Sequence, residues 1–194
     1  MIVAMPAVLS FAEKPTITGE RVLLRPVEVA DAAGLAALDR EALRLTGTQR
    51  TASLEELQHW YATRAGLTDR LDLSIIDRAS GRWAGEVVLN DLDEANRSCG
   101  FRVLLGGAEF RDRGLGTEAS RLALAHAFEV VGVHRVELQV YAFNPRARHV
   151  YDKLGFRYEG TRRQALCWDG HWIDSHVMAI LASEWQAGRG TPEV

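Results

Sequence analysis

Two hydrophobic periods divide this chain. Apolar residues dominate three short runs, 71–77, 83–89 and 98–105, each brief enough for a strand. An Ala-Ser-Gly turn at 79–81 separates the first two, and the polar stretch 91–97 separates the second pair. Connections this short suit an antiparallel meander. From Leu115 the period lengthens: Leu115, Ala119, Leu122, Ala123, Ala127 and Val130 fall on one helical stripe, which Gly132 ends. Residues 135–141 return to alternation through Val136, Leu138 and Val140. Strand, helix and strand in succession predict a right-handed crossover with parallel strands over 98–141.

Upstream, residues 21–26 (Arg-Val-Leu-Leu-Arg-Pro) read as a first strand stopped by Pro26. Asp31 is expected to cap a helix reaching residue 45, and Ser53 with Glu56 forms a capping box for a second, over 53–65. That helix carries His59, Trp60 and Tyr61, as core aromatics or as substrate-lining groups. Asn144-Pro145 opens a short helix ending at Gly155, and 156–163 with 168–181 predict a closing hairpin. These elements make one α+β domain over 16–186. Residues 1–11 are apolar but lack a preceding Lys or Arg and are too short to span a membrane. They fit a loose N-terminal extension over 1–15 better than a signal peptide. Residues 187–194 are expected to be a disordered tail.

Composition narrows the partners. A chain of 194 residues with 47% hydrophobic and 25% charged positions suits one well-buried core. A net charge of −3 gives no general attraction to nucleic acid, so an anionic cofactor must be drawn by local groups. Cys99 and Cys167 stand in no pairing or metal-ligand pattern and read as reduced thiols of a cytoplasmic protein. His171 and His176 would lie on opposite faces of a strand, against shared metal binding.

The chemistry concentrates in Phe110-Arg-Asp-Arg-Gly-Leu-Gly-Thr-Glu-Ala119. Gly114 and Gly116 fall where the long helix begins, where unpaired backbone N–H groups and the helix dipole favour an anion. Arg111 and Arg113 add cationic reach. This predicts a pocket for a phosphorylated cofactor, although glycine pairs also make plain turns. Gly114-x-Gly116-x-x-Ala119 with Glu137 formally satisfies a dinucleotide fingerprint as well. The polar connection 106–113 and the late position of the helix count against that alternative.

Arg111-x-x-Gly114-x-Gly116, Asn144, and Tyr151-Asp-Lys-Leu-Gly-Phe156 together resemble the GNAT superfamily of acetyl-CoA-dependent N-acetyltransferases, and within it the RimJ/RimL-like subgroup. The resemblance runs from Arg21 to Met178. It implies a mixed, mostly antiparallel, splayed central sheet with helices on both faces, no metal, no membrane, and a homodimer as an assembly common among relatives. It further implies that Val103, Leu104 and Leu105 offer backbone groups to the pantetheine arm. The diphosphate would lie on Arg111, Asp112, Arg113, Gly114, Leu115, Gly116 and Thr117, with Asn144 at the arm and Arg148 near the adenosine phosphates. A backbone N–H near Leu104 would steady the oxyanion. Tyr151 matches the general acid for the departing thiolate; a phenol with an ordinary pKa of about 10 keeps its proton at neutral pH. The other reading of Tyr151 is a packed core residue.

The general base is open. Some relatives place a Glu where this chain has Gln139, which accepts no proton. Glu86 and Asp91 are the candidates, each set against being a solvated carboxylate, with His134 and His171 as further options set against structural roles. The acceptor is a primary amine, either a protein N-terminus or a small molecule. A catalytically silent CoA sensor is the alternative function, and a dinucleotide oxidoreductase the more distant one.

Overall fold

The computed structural model describes residues 9–50 and 52–189. Eight strands form one sheet: β1 (Ile17–Thr18), β2 (Val22–Pro26), β3 (Leu71–Asp77), β4 (Trp83–Asp93), β5 (Ser98–Leu105), β6 (Arg135–Tyr141), β7 (Arg157–Trp168) and β8 (His171–Leu181), in the order β1-β2-β3-β4-β5-β6-β8-β7. Every neighbouring pair is antiparallel except β5 and β6, which are parallel. The crossover between those two carries α4 (Leu115–Ala125). Helices α1 (Ala32–Ala36), α2 (Arg40–Thr46) and α3 (Leu54–Ala62) precede the meander; α5 (Pro145–Lys153) and α6 (Ala182–Arg189) come later.

Alternation along the strands sends two sets of side chains to two helical layers. On one face Val87, Leu89, Phe101 and Val103 meet α4 and α5 in the principal core. On the other, Ser74 Oγ donates to the Asp31 carboxylate at 2.7 Å, and Gly34 of α1 lies flat on Trp83. The expected fold class is therefore realised, with helices on both faces.

Four local expectations need correction. The helix predicted over 31–45 is interrupted, because the Asp39 carboxylate accepts from Ala42 N at 2.6 Å and starts α2 afresh. Asp31 does not cap α1 through its side chain; Arg25 grips its carboxylate at 2.8 Å through both guanidinium nitrogens. Val130 leaves the apolar stripe and is 68% exposed. A π turn over His126–Val131 advances the phase by one residue, so Val131 faces the core in place of Val130, while Ala127 stays buried as expected. The chain ends also differ: α6 reaches Arg189, and the extension is tied down from Leu9 onward. Phe11 is fully buried, its N–H bonded to Thr68 O, while Lys14 Nζ donates to the carbonyls of Phe11, Leu67 and Arg70 at 2.6 Å each. Residues 1–8 and 190–194 lie outside the described residues. No helix among the described residues is long and apolar enough to cross a membrane.

Candidate active site

The loop that leads into α4 presents a row of unspent donors. Backbone N–H groups of residues 112–117 make no hydrogen bond among the described residues, and the helical ladder begins only with Glu118 N to Gly114 O at 3.0 Å. Asp112 (φ 58) and Gly114 (φ 77) both adopt the left-handed conformation, which curls successive N–H groups toward one side. A Cβ on Gly114 would come within 2.4 Å of the Arg21 guanidinium. One on Gly116 would make only ordinary contact with Leu105, at 3.5 Å, so packing alone does not demand that glycine.

The loop's two arginines act as anchors. Arg111 pairs with Asp39 at 2.9 Å and with Glu41 at 2.6 Å, fastening the loop to α2. Arg113 pairs with Asp77 at the end of β3, at 3.1 Å. Their expected cationic reach is thus neutralised, and the attraction for an anion falls on the backbone N–H row and the α4 dipole. Asp112 is held in turn by Arg146 at 2.9 Å.

Beside this loop the sheet parts. β4 and β5 stay paired from Asp93↔Ser98, through a register shift, to Gly85↔Leu105, whereas β5 and β6 pair only over Ser98↔Arg135, Cys99↔Val136 and Gly100↔Glu137. Beyond Gly100 the open edge of β5 lines a cavity of about 590 Å³ that reaches α2, the N-terminus of α4, and α5. Gly106 N donates to Ala84 O, which fixes the parity of the ladder. By that parity Leu104 spends its N–H and C=O on β4, while Val103 and Leu105 direct theirs into the gap. The oxyanion donor expected at Leu104 is accordingly turned away.

Tyr151 lines this cavity, its ring held edge-on by Phe101 at 6.3 Å and Phe156 at 5.8 Å. Its hydroxyl makes no hydrogen bond among the described residues. Burial pushes the phenol up to about 12, so it stays protonated at neutral pH. Asn144 caps α5, its Oδ1 accepting from Ala147 N at 3.0 Å, and lines the same cavity.

The two candidate bases separate. Glu86 is 4% exposed and lies outside the cavity lining, with Oε1 unpartnered. Burial pushes its carboxyl up to about 8, against the pull of Arg102 and with a smaller push from Asp31. Asp91 instead lines the cavity, in a left-handed conformation (φ 54). Gln139 also lines it and accepts from Arg162 at 2.8 Å. Arg148 lies outside the lining, its guanidinium 5.3 Å from the centre of the Tyr158 ring. His59, Trp60 and Tyr61 do not reach the cavity.

Sequence reasoning missed Asn90 and Arg102 as lining groups, and the partners Asp39 and Glu41. The period-2 pattern could have put Asn90 and Arg102 on the face of Glu86. Nothing local signals an ion pair that spans 72 residues. Among the described residues no cluster of metal-ligating side chains occurs.

Comparison with known proteins agrees with this geometry. Over 173 residues, 88% of this chain and 91% of the relative, the chain is 28% identical to the spermidine N(1)-acetyltransferase of Escherichia coli (strain K12). A stretch of 83 residues, 43% of each chain, is 29% identical to the ribosomal protein uS5-alanine N-acetyltransferase of the same bacterium. The crystal structure of the Vibrio cholerae spermidine N-acetyltransferase in complex with CoA and spermine shares the fold, with a TM-score of 0.80 over 87% of this chain and 99% of that one at 24% identity. Residues 21–157 match the family described as Acetyltransferase (GNAT) domain. That match overturns the dinucleotide reading of Gly114-x-Gly116-x-x-Ala119: this chain belongs to the GNAT family of acetyltransferases.

Proposed function

We propose that this protein transfers an acetyl group from acetyl-CoA to a primary amine by direct attack with both substrates bound. The observation that carries the reading is the row of free N–H groups at 112–117, opening onto the gap beside β5. These donors suit a diphosphate, and the unpaired edge of β5 at Val103 and Leu105 suits an amide-bearing arm, so the residues present fit coenzyme A. When bound, the thioester supplies the activated acetyl group. Val103 or Leu105 N–H steadies negative charge on the carbonyl oxygen. Tyr151, protonated and free of other partners, delivers its proton to the departing sulfur. Asp91, at the cavity wall, takes the proton of the incoming ammonium directly or through water. Asn144 positions the arm while capping α5. The named relatives act on spermidine and on a ribosomal protein's alanine. A RimJ/RimL-like place within the family rests on the second of these and on the Arg111 to Thr117 motif.

A silent CoA sensor is favoured by one observation, Gln139 engaged with Arg162 where a base would serve. Thermal shift with acetyl-CoA and with NAD(P)H, followed by free-thiol release across peptides, polyamines, amino acids and aminoglycosides, tests both. Stabilisation by acetyl-CoA with thiol release is expected. Binding without release from any amine would favour the sensor, and no binding would overturn both readings.

A further inference from the structure

The charged groups around the cavity are largely spoken for. Arg111 is neutralised by Asp39 and Glu41, Arg146 by Asp112, and Glu137 by Arg135. Two lining groups form no ion pair among the described residues, Arg102 and Asp91, although the charge of Arg102 is felt by Glu86 and that of Asp91 by Arg70. Arg102 makes no hydrogen bond or ion pair among the described residues, and Asp91 pairs with no cation, accepting only from the Asn90 amide. Buried Glu86, on the same face, feels the charge of Arg102 but makes no ion pair with it.

Their placement is not incidental to the fold. Arg102 stands opposite Val88, and Asn90 stands opposite Gly100, so Arg102 and Asn90 are diagonal neighbours on the face that looks toward α2. Gly100 puts no side chain between them, and a Cβ there would press on Asn90 Oδ1 at 3.1 Å. That oxygen is itself buried and unpartnered. This corner adjoins Gly100↔Glu137, where the sheet starts to part. One positive group and one negative group therefore line one space at the start of the gap, beside a buried amide oxygen.

We propose that the acceptor is an amine that also bears a carboxylate, an amino-acid-like zwitterion, with Arg102 pairing the carboxylate and Asp91 receiving the ammonium. The proposal rests on the acetyl-transfer reading above. In the balanced step the acceptor ammonium loses one proton to Asp91 or to water, its nitrogen forms the bond to the acetyl carbon, and that nitrogen then gives up a second proton to solvent to become the neutral amide. The C–S bond breaks with its electron pair on sulfur, and sulfur takes the Tyr151 proton. The products are an N-acetylated amino carboxylate, free thiol and, once Tyr151 is reprotonated from solvent, one net proton. A polycation such as spermidine would leave Arg102 facing a like charge, which is unfavourable at close range.

The test compares free amino acids with their carboxamides and with spermidine, in wild type and Arg102→Gln, by thiol release, with CoA affinity measured calorimetrically. Arg102 is exposed, so the substitution spares the core. In wild type, kcat/KM should favour the free acid over its amide by about 10- to 100-fold, the scale of charge-assisted hydrogen bonds. Arg102→Gln should erase that preference, chiefly through KM, with CoA affinity unchanged. Equal use of acid and amide, a wild-type preference for spermidine, or an unaltered ratio in Arg102→Gln would each overturn the proposal while leaving acetyl transfer intact. Failure of every amine together with failure to bind CoA would overturn the acetyl-transfer reading itself, and the proposal with it.

Discussion

Strand β5 has two edges that behave differently. Toward β4 it is paired along almost its whole length, to Gly85↔Leu105; toward β6 it is paired for three residues and then released. The closed edge is structural, since its N–H and C=O groups are consumed in the ladder. The open edge exposes alternate backbone groups to a cavity that also collects the free N–H row of 112–117, Asn144 and Tyr151. One strand thus supplies rigidity and chemistry at once, and substitutions on its two sides should separate fold from turnover.

The largest expected effect lies on the open side. Tyr151→Phe removes a proton donor without altering the packing of the ring against Phe101 and Phe156. Turnover should fall by roughly 10²-fold or more with CoA affinity nearly intact; an unchanged rate would make Tyr151 a packing residue alone. Gly114→Val comes next. Its left-handed φ and the nearby Arg21 guanidinium make a side chain strained, at a cost of about 1–3 kcal/mol. CoA binding should weaken roughly 10-fold or more by titration, and wild-type affinity would contradict the N–H cradle.

On the closed side, Gly85 has φ 153 and a Cβ there would sit 2.0 Å from Leu104 O. Gly85→Ala should lower stability in denaturant unfolding by about 1–3 kcal/mol. Full stability would show that the ladder at this point tolerates a shift. The smallest effect concerns pH. Burial holds the Glu86 carboxyl at about 8 in the folded chain, against an ordinary value of 4.5. The folded state therefore keeps a proton the unfolded chain has lost, and this contribution to stability fades as pH rises from about 4.5 to 8. Glu86→Gln, which cannot ionise, should flatten that slope in unfolding measured across pH. An identical slope would remove Glu86 as its source.

Much of this arrangement was legible along the chain because its causes are local. The bounds of β3 and β5, the start of β4, the Ser53–Glu56 box, the Asn144–Pro145 helix start and the glycine loop depend on residues close in sequence, whereas β4 runs on to Asp93 through polar residues read as a connection. Asp39 was hidden for the opposite reason. Its capping of α2 looks like any Asp in an Ala-rich helix until Arg111, 72 residues later, arrives to share its carboxylate. The π turn at His126–Val131 was invisible because one extra residue in a turn leaves composition unchanged while rotating the stripe. The direction of Leu104 required parity, which only the Gly106–Ala84 bond supplies.

The family match begins at Arg21, yet the packed body of the molecule starts a dozen residues earlier. Phe11 fills an interior position, and the Lys14 ammonium ties the Phe11 carbonyl to two carbonyls, Leu67 and Arg70, of the stretch leading into β3. A version trimmed to the matched span would open a hole in the core and leave the Leu67 and Arg70 carbonyls to water. For this chain, the domain as a physical object is longer than the domain as a pattern.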